Sequence, residues 1–216
     1  MSIKHKIIEE SSELFMLYGI RSVSMDDVAS KLGISKKTIY QYFDNKDDLV
    51  QQVTLDFIQK DLTVFNEIRE QSSNSIEQLL NFAQYLMEII RKVSPSLMYD
   101  LHKYHKDSWC KMEEMHKQYI YSTIKENIER GQAQDIYRKE MDAEIAARLY
   151  VATSYAVMEE DIFPMKEFKK DQVIQEFIHQ FVHGWASDKG LELWKEYVEA
   201  KGQAAKDENQ EKLGEH

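Results

Sequence analysis

One cysteine, Cys110, occurs in 216 residues. It can build neither an intrachain disulfide framework nor a cysteine-based zinc site, and such usage fits a reducing compartment. Proline occurs twice and glycine seven times. No alternating run of β-branched residues is bounded by turn signals, so strands have little to start from. No apolar run approaches the ~18 residues that a membrane-spanning helix needs. The mixed charges of Lys4, Lys6, Glu9, Glu10 and Glu13 leave no apolar secretory segment near the N-terminus. A cytoplasmic location without a membrane partner is therefore expected. What the chain does have is 43% hydrophobic residues under a formal net charge of −10, enough apolar material for one sizeable core, or a core and a small satellite domain. An all-α fold is expected.

Helical periodicity runs through Ile7, Ser11, Leu14, Phe15 and Tyr18 and stops at Gly19, a residue suited to the left-handed position after a helix. Ser24 with Asp27 three residues on is a capping pattern, followed by a short apolar face of Val28, Ala29 and Leu32 before Gly33. Ser35 caps a third helix, read over "SKKTIYQYF", with Ile39 and Phe43 facing inward. Two short helices joined by "LGIS" make a helix-turn-helix. A fourth helix starts around Asn45 and Asp48 and keeps its periodicity to about Arg69. At ~37 Å it is long enough to leave one domain and enter another. Beyond the "QSSNS" loop, helices are expected at 76–93, 95–104, 108–130 with Gly131 as the stop, 142–160 and 171–187, and then a short helix that frays.

Charge is unevenly spread along this pattern. Residues 31–46 carry Lys31, Lys36, Lys37 and Lys46 against Asp44 alone, a local +3 that leaves −13 for the rest of the chain. Asp26 and Asp27 lie close by and temper it. A helix-turn-helix sets its second helix in the DNA major groove, with side chains near that helix start on base edges and flanking groups on phosphates. The outward positions of the third helix are Lys36, Lys37, Thr38, Tyr40, Gln41 and Tyr42. Lysine can donate to guanine O6 and N7, glutamine can pair with adenine N6 and N7, and a threonine methyl can meet a thymine methyl. The remaining hydroxyls, Ser35 among them, suit phosphates. Lys46 stands in the first turn of the following helix, where the dipole disfavours a cation, which points to an anion just beyond that start. Double-stranded DNA is the expected partner. The plainer reading is an exposed solvated helix, and against it stand the coincident charge excess, turn glycine and paired caps.

Taken in order, these residues form a familiar pattern: "LF" at Leu14 and Phe15, Gly19, the Ser24 cap, "DVA" from Asp27, "LGIS" from Leu32, "TIYQYF" from Thr38 and "NKDDL" from Asn45. Residues 7–50 thereby resemble the DNA-binding domain of TetR-family transcriptional regulators. The match departs at Met25 and at Lys37, where that family often has threonine and glycine, and Lys37 adds a cation there. The resemblance implies that Ser24, Tyr42 and Lys46 hold phosphates, and that Lys36, Lys37, Thr38, Tyr40 and Gln41 face bases. The "NIERG…YR" element from Asn127 to Arg138 looks like one branch of the same family.

Three further groupings bear on function. Tyr99, His102, Trp109, Met112, His116 and Tyr119 crowd one region and read either as packed core with surface histidines or as the wall of a small-molecule pocket. The resemblance implies an effector pocket there. Val173, Ile174, Phe177, Ile178, Phe181, Val182 and Trp185 form an apolar band two residues wide, preceded by a helix with Leu149, Ala152 and Tyr155. A buried helix of a monomer would explain the band. The resemblance instead implies a two-fold homodimer, with Leu149, Ala152, Tyr155, Val173, Phe177, Phe181 and Trp185 at its interface. Last, Glu113-x-x-His116 and Glu176-x-x-His179 match the spacing of di-iron bundles, but chance supplies on the order of one such pair in a chain this rich in glutamate. No nucleophile–base pair or glycine-rich phosphate loop is present, so neither catalysis nor a cofactor nor a metal is expected.

The expected protein is a ligand-responsive repressor that binds a palindromic operator as a homodimer and is released by a small amphipathic or aromatic ligand. A di-iron metalloenzyme and a DNA-bound structural protein without an inducer are the alternatives. Its expected domains are a three-helix DNA-binding domain at residues 1–48, a larger helical regulatory and dimerisation domain at 49–200, and a polar tail at 201–216.

Overall fold

In the computed structural model, residues 2–164 and 166–199 are described, and they form ten helices and no strand. The expected polar tail lies outside them. The helices are α1 (Ile3–Tyr18), α2 (Met25–Leu32), α3 (Lys36–Ile39), α4 (Lys46–Gln71), α5 (Ser75–Lys92), α6 (Pro95–Tyr104), α7 (Lys106–Ala133), α8 (Ala143–Met158) and α9 (Lys170–Trp185), followed by α10 at 188–199. Among the described residues no helix is long and apolar enough to cross a membrane.

Local chemistry sets most of these boundaries. The Ser24 hydroxyl accepts from the Asp27 amide while the Asp27 carboxylate takes the Ser24 amide, a reciprocal cap that starts α2. Gly33 ends it in the left-handed region at φ 65°, with its amide on the Ala29 and Ser30 carbonyls. A Cβ there would meet nothing within 4 Å, so the glycine serves backbone conformation and not space. Asn45 and Asp48 cap the start of α4 through bonds to the Asp48 and Asp44 amides.

The described residues divide into two compact units, 2–67 with 85–119 in one and 68–84 with those from 120 to 199 in the other. In the first, α1–α3 share one apolar core with α4, α6 and α7: Ile7, Phe15, Val28, Ile39, Phe43, Leu49 and Ile58 are joined there by Leu101 and Met112. Each large buried side chain of this kind contributes about 1.5–3 kcal/mol through area alone. In the second unit, α8 packs on α9, with Tyr150 against Phe177, Phe181 and Trp185 at centroid distances of 4.8, 5.0 and 5.7 Å.

Gly131 does not end α7, contrary to the sequence expectation. The helix continues to Ala133, and the reversal comes at Asp135, whose φ of 59° lies in the left-handed region. The Gly131 carbonyl then accepts from the Ile136 and Tyr137 amides. The buried Tyr137 ring lies against Gly131, and its hydroxyl donates to the Ser75 carbonyl and Asn127 Oδ1, each at 3.2 Å. Glycine is needed here for close approach. Gly131→Ala would gain about 1 kcal/mol of helix propensity, yet its methyl would overlap the Tyr137 ring. The clash should prevail, with a net loss of about 1–3 kcal/mol measured by urea denaturation.

Candidate functional site

Ser35 starts α3 by accepting from the Thr38 amide at 3.1 Å, and its hydroxyl lies 2.8 Å from the Thr38 hydroxyl. The helix is shorter than expected. It makes one turn, Lys36–Ile39, after which the Gln41 and Tyr42 amides bond three residues back, to Thr38 and Ile39. This tighter winding lets Phe43 enter the core just before Asn45 opens α4. The outer surface of the segment is Lys36, Lys37, Tyr40, Gln41 and Tyr42, with Tyr40 46% and Tyr42 39% exposed. Ser24 and Ser35 are exposed at the two helix starts, and Thr38 is half-buried.

The two adjacent lysines are not equivalent. Lys36 Nζ lies 2.6 Å from Asp26 Oδ2 on α2, and this contact raises the Lys36 pKa. Lys37 is exposed and joins no ion pair among the described residues. It is the uncommitted cation of this face.

Lys46 is placed differently from the sequence expectation. Its ammonium donates to the Ile20 carbonyl at 2.6 Å, inside the loop between α1 and α2. Burial lowers its pKa, while Asp100, Asp47 and Asp27 oppose that shift. The electron-rich partner that its position called for is thus supplied within the fold. Beside it, the Arg21 amide donates to the buried Asp100 carboxylate at 2.8 Å, and the Arg21 guanidinium sits on the Tyr104 ring at 4.7 Å. Asp100 and Arg21 went unrecognised in the sequence, because a contact 79 residues apart leaves no periodic signal.

The expected effector residues separate into three places. Tyr99 is exposed, bonded to Lys103 and edge-on to Tyr104. His102 is also exposed, against Trp109, and Trp109 and Met112 pack into the apolar core of the first unit. His116 and Tyr119 turn toward α4, where sequence reasoning missed Asp61, Phe65 and Asn66, together with Tyr85 of α5. Tyr85 donates to Asp61 Oδ1 at 2.5 Å, Tyr119 donates to Asn66 at 3.1 Å, and His116 Nε2 lies 3.5 Å from Asp61 Oδ2. One signal was available: Asp61 falls on the apolar face of α4, four residues after Phe57 and four before Phe65.

In the second unit, Val173, Phe177 and Trp185 are buried within the single subunit, so they do not offer the free half of a paired band. Tyr150 fills the space between them. The apolar surface left open is Ile145 and Leu149, each 58% exposed, with exposed Ala152, half-buried Tyr155 and half-buried Phe181. Ile145, Leu149 and Phe181 border a groove of about 440 Å³ that Arg138, Asp142 and Gln180 also line. The two Glu-x-x-His pairs fall in different units. Glu113 binds Lys117 at 2.6 Å, while Glu176 and His179 are exposed.

Residues 7–53 match the family described as bacterial regulatory proteins, tetR family. YvaF of Bacillus subtilis, an HTH-type transcriptional regulator, is 25% identical over 188 residues, covering 85% of this chain and 95% of that protein. A TetR-family regulator from Agrobacterium tumefaciens superposes with a TM-score of 0.65 at 18% identity, over 85% of this chain and 97% of that one. A transcriptional regulator from Saccharomonospora viridis, solved with choline, superposes with a TM-score of 0.62 at 20% identity and the same coverage.

The geometry around Lys46 generates two expectations. Lys46→Met keeps the stem but removes the bond to Ile20, and should cost about 1 kcal/mol in chemical denaturation after discounting for partial exposure. His105, between α6 and α7, lies with Nδ1 3.1 Å from Asp47. Burial first, and then Lys46, lower its pKa from the ordinary 6.5, against Asp47 and Asp100. A histidine depressed in the folded state favours folding fully above the unfolded value, and that contribution is lost as pH falls through 6.5 toward the folded one. The loss of denaturation midpoint between about pH 7.5 and about pH 5.5 should therefore be smaller in His105→Asn than in the unmodified protein.

Proposed function

We propose that this chain is a DNA-binding transcriptional regulator of the TetR family, to which its residues 7–53 and its fold are similar, and that it is a homodimeric repressor released from a palindromic operator by a small molecule. It is a regulator and not an enzyme. The observation that carries the reading is the exposed face after Ser35. Lys37, Tyr40, Gln41 and Tyr42 stand together on a segment of local charge +3, in a chain of −10. Net negative charge opposes indiscriminate attachment to DNA, while a small cationic face, doubled in a dimer, retains affinity for a chosen site. Lys37 and Gln41 read base edges, and Ser24, Ser35, Tyr42 and the Lys36 ammonium, once it leaves Asp26, hold phosphates.

Dimerisation would use the open face of α8, with Leu149, Ala152 and Tyr155, and the exposed edge of Phe181. Two copies would then present their third helices about 34–36 Å apart, one turn of DNA. Release would follow when a ligand near His116 and Tyr119 alters the position of α4 and so that spacing. Choline in the S. viridis regulator belongs to that protein, and it encourages a search for a small-molecule site here.

The reading is tested by fluorescence anisotropy on operator fragments selected from the organism's own DNA at about 150 mM salt. Lys37→Ala and Tyr40→Ala should each weaken binding about tenfold or more with helix content intact. Lys36→Ala should weaken it less, because Lys36 must first give up Asp26. Unchanged affinity in the first two variants would remove the interface. For the dimer, Leu149→Glu should convert the sedimenting species from dimer to monomer, and a monomeric unmodified protein would contradict the assignment. An effector that lowers operator affinity 100-fold must itself bind about 100-fold more weakly to the operator complex, because linkage is reciprocal. Calorimetry with and without operator checks this.

A further inference from the structure

Asp61 is 4% exposed, on a helix face otherwise built of Val53, Ile58, Leu62 and Phe65. An ionised carboxylate so placed costs several kcal/mol unless it is bonded and neutralised. Its partners fall short of that. Tyr85 supplies one neutral hydroxyl to Oδ1. The other oxygen faces His116 Nε2 at 3.5 Å without a hydrogen bond, and that nitrogen is itself buried with no hydrogen-bond partner. Among the described residues no lysine or arginine pairs with Asp61. One facing polar atom, His116 Nε2, thus lies buried beside the carboxylate without a hydrogen bond, and the hydrogen bonding of Asp61 is limited to the Tyr85 hydroxyl among the described residues.

What surrounds the carboxylate is aromatic. Phe65 lies edge-on to Tyr85 at 5.4 Å and stacked on Tyr119 at 5.7 Å, and the Tyr119 hydroxyl is fixed to Asn66. Phe65, Tyr85, Tyr119 and His116 are half-exposed, so the rings form a rim over a buried anion. Aromatic faces attract cations through their quadrupole, and more strongly where water is excluded. A ligand carrying a carboxylate would be repelled at this position, and an uncharged one would leave the anion uncompensated.

We propose that the effector is a cation, an amine or quaternary ammonium compound, whose charge sits against Asp61 within the Phe65, Tyr85 and Tyr119 rings. This rests on the reading that a small molecule regulates the protein, and it narrows the chemistry of that molecule. The cation would take the place beside Asp61 Oδ2 that His116 now occupies without bonding. It would thereby act on α4 and α7 together, and α4 is the helix that opens with Lys46 beside the DNA-binding segment.

The test is calorimetric titration of the full chain with benzyltrimethylammonium and tetraphenylphosphonium, and with phenylacetate as an aromatic anion. At least one cation should bind and phenylacetate should not. Asp61→Asn keeps the side-chain shape and should weaken the cation about tenfold or more. Tyr119→Leu, which leaves the carboxylate untouched, should weaken it as well, so the proposal stays testable if the first variant folds poorly. Failure of both cations to bind, phenylacetate binding as tightly, or unmodified affinity in the folded variants would overturn it. Operator DNA separates this from the release reading. A cation that binds through Asp61 yet leaves operator affinity unchanged upholds the site and refutes release. A neutral or anionic molecule that releases DNA where no cation binds refutes the site and upholds release.

Discussion

Two charge-assisted hydrogen bonds hold the loop between α1 and α2, and the placement of the helix-turn-helix depends on them. Lys46, from the first turn of α4, donates to the Ile20 carbonyl, and Asp100 of α6 accepts the Arg21 amide. Gly19, at φ 81°, lets the backbone come close to Ser96 and Asp100, where any side chain would collide. The loop is therefore gripped by α4 and α6 at once. Charged partners make these bonds stronger than neutral ones, and the Asp100 side chain is buried. A displacement of α6 or of the first turn of α4 cannot leave α2 and α3 where they were.

This grip explains why a lysine stands where a helix dipole would repel it. Its ammonium is offset by three carboxylates, Asp100, Asp47 and Asp27, and it closes a backbone carbonyl that has left the helical pattern of α1. The cation therefore has a role in the fold that precedes any contact with a phosphate. The same logic separates Lys36 from Lys37. Asp26 holds one lysine in place, and the other is left to meet whatever approaches. Two adjacent, chemically identical residues differ in their surroundings because of a carboxylate ten positions from Lys36.

The first unit contains both the helix-turn-helix and the Asp61 cluster. α4 carries Lys46 at its start and Asp61 about four turns along the same helix. α6 and α7 meet it near His105, which contacts Asp47. Asp61 therefore lies on the same helix whose first turn is bonded to the loop between α1 and α2.

Much of this architecture was legible in the sequence, because it is governed by short-range chemistry. Caps at Ser24, Ser35 and Asn45, the glycine at 33 and helical periodicity located the helix-turn-helix and most helix boundaries within a few residues. Each of these signals lies within one or two turns of the residue it controls. The sequence also singled out the cationic face, since the charge count of sixteen residues needs no folding to evaluate. Tertiary structure alone decided the rest. It continued α7 past Gly131 to a reversal at Asp135, and used that glycine to admit the Tyr137 ring. It turned Val173, Phe177 and Trp185 inward around Tyr150, which periodicity could not do, since a two-residue-wide band fits either face. It also set Asp61, Tyr85 and His116 together from three helices. The energy of a buried charge depends on what surrounds it in space, and no stretch of sequence around one of those residues contains the other two.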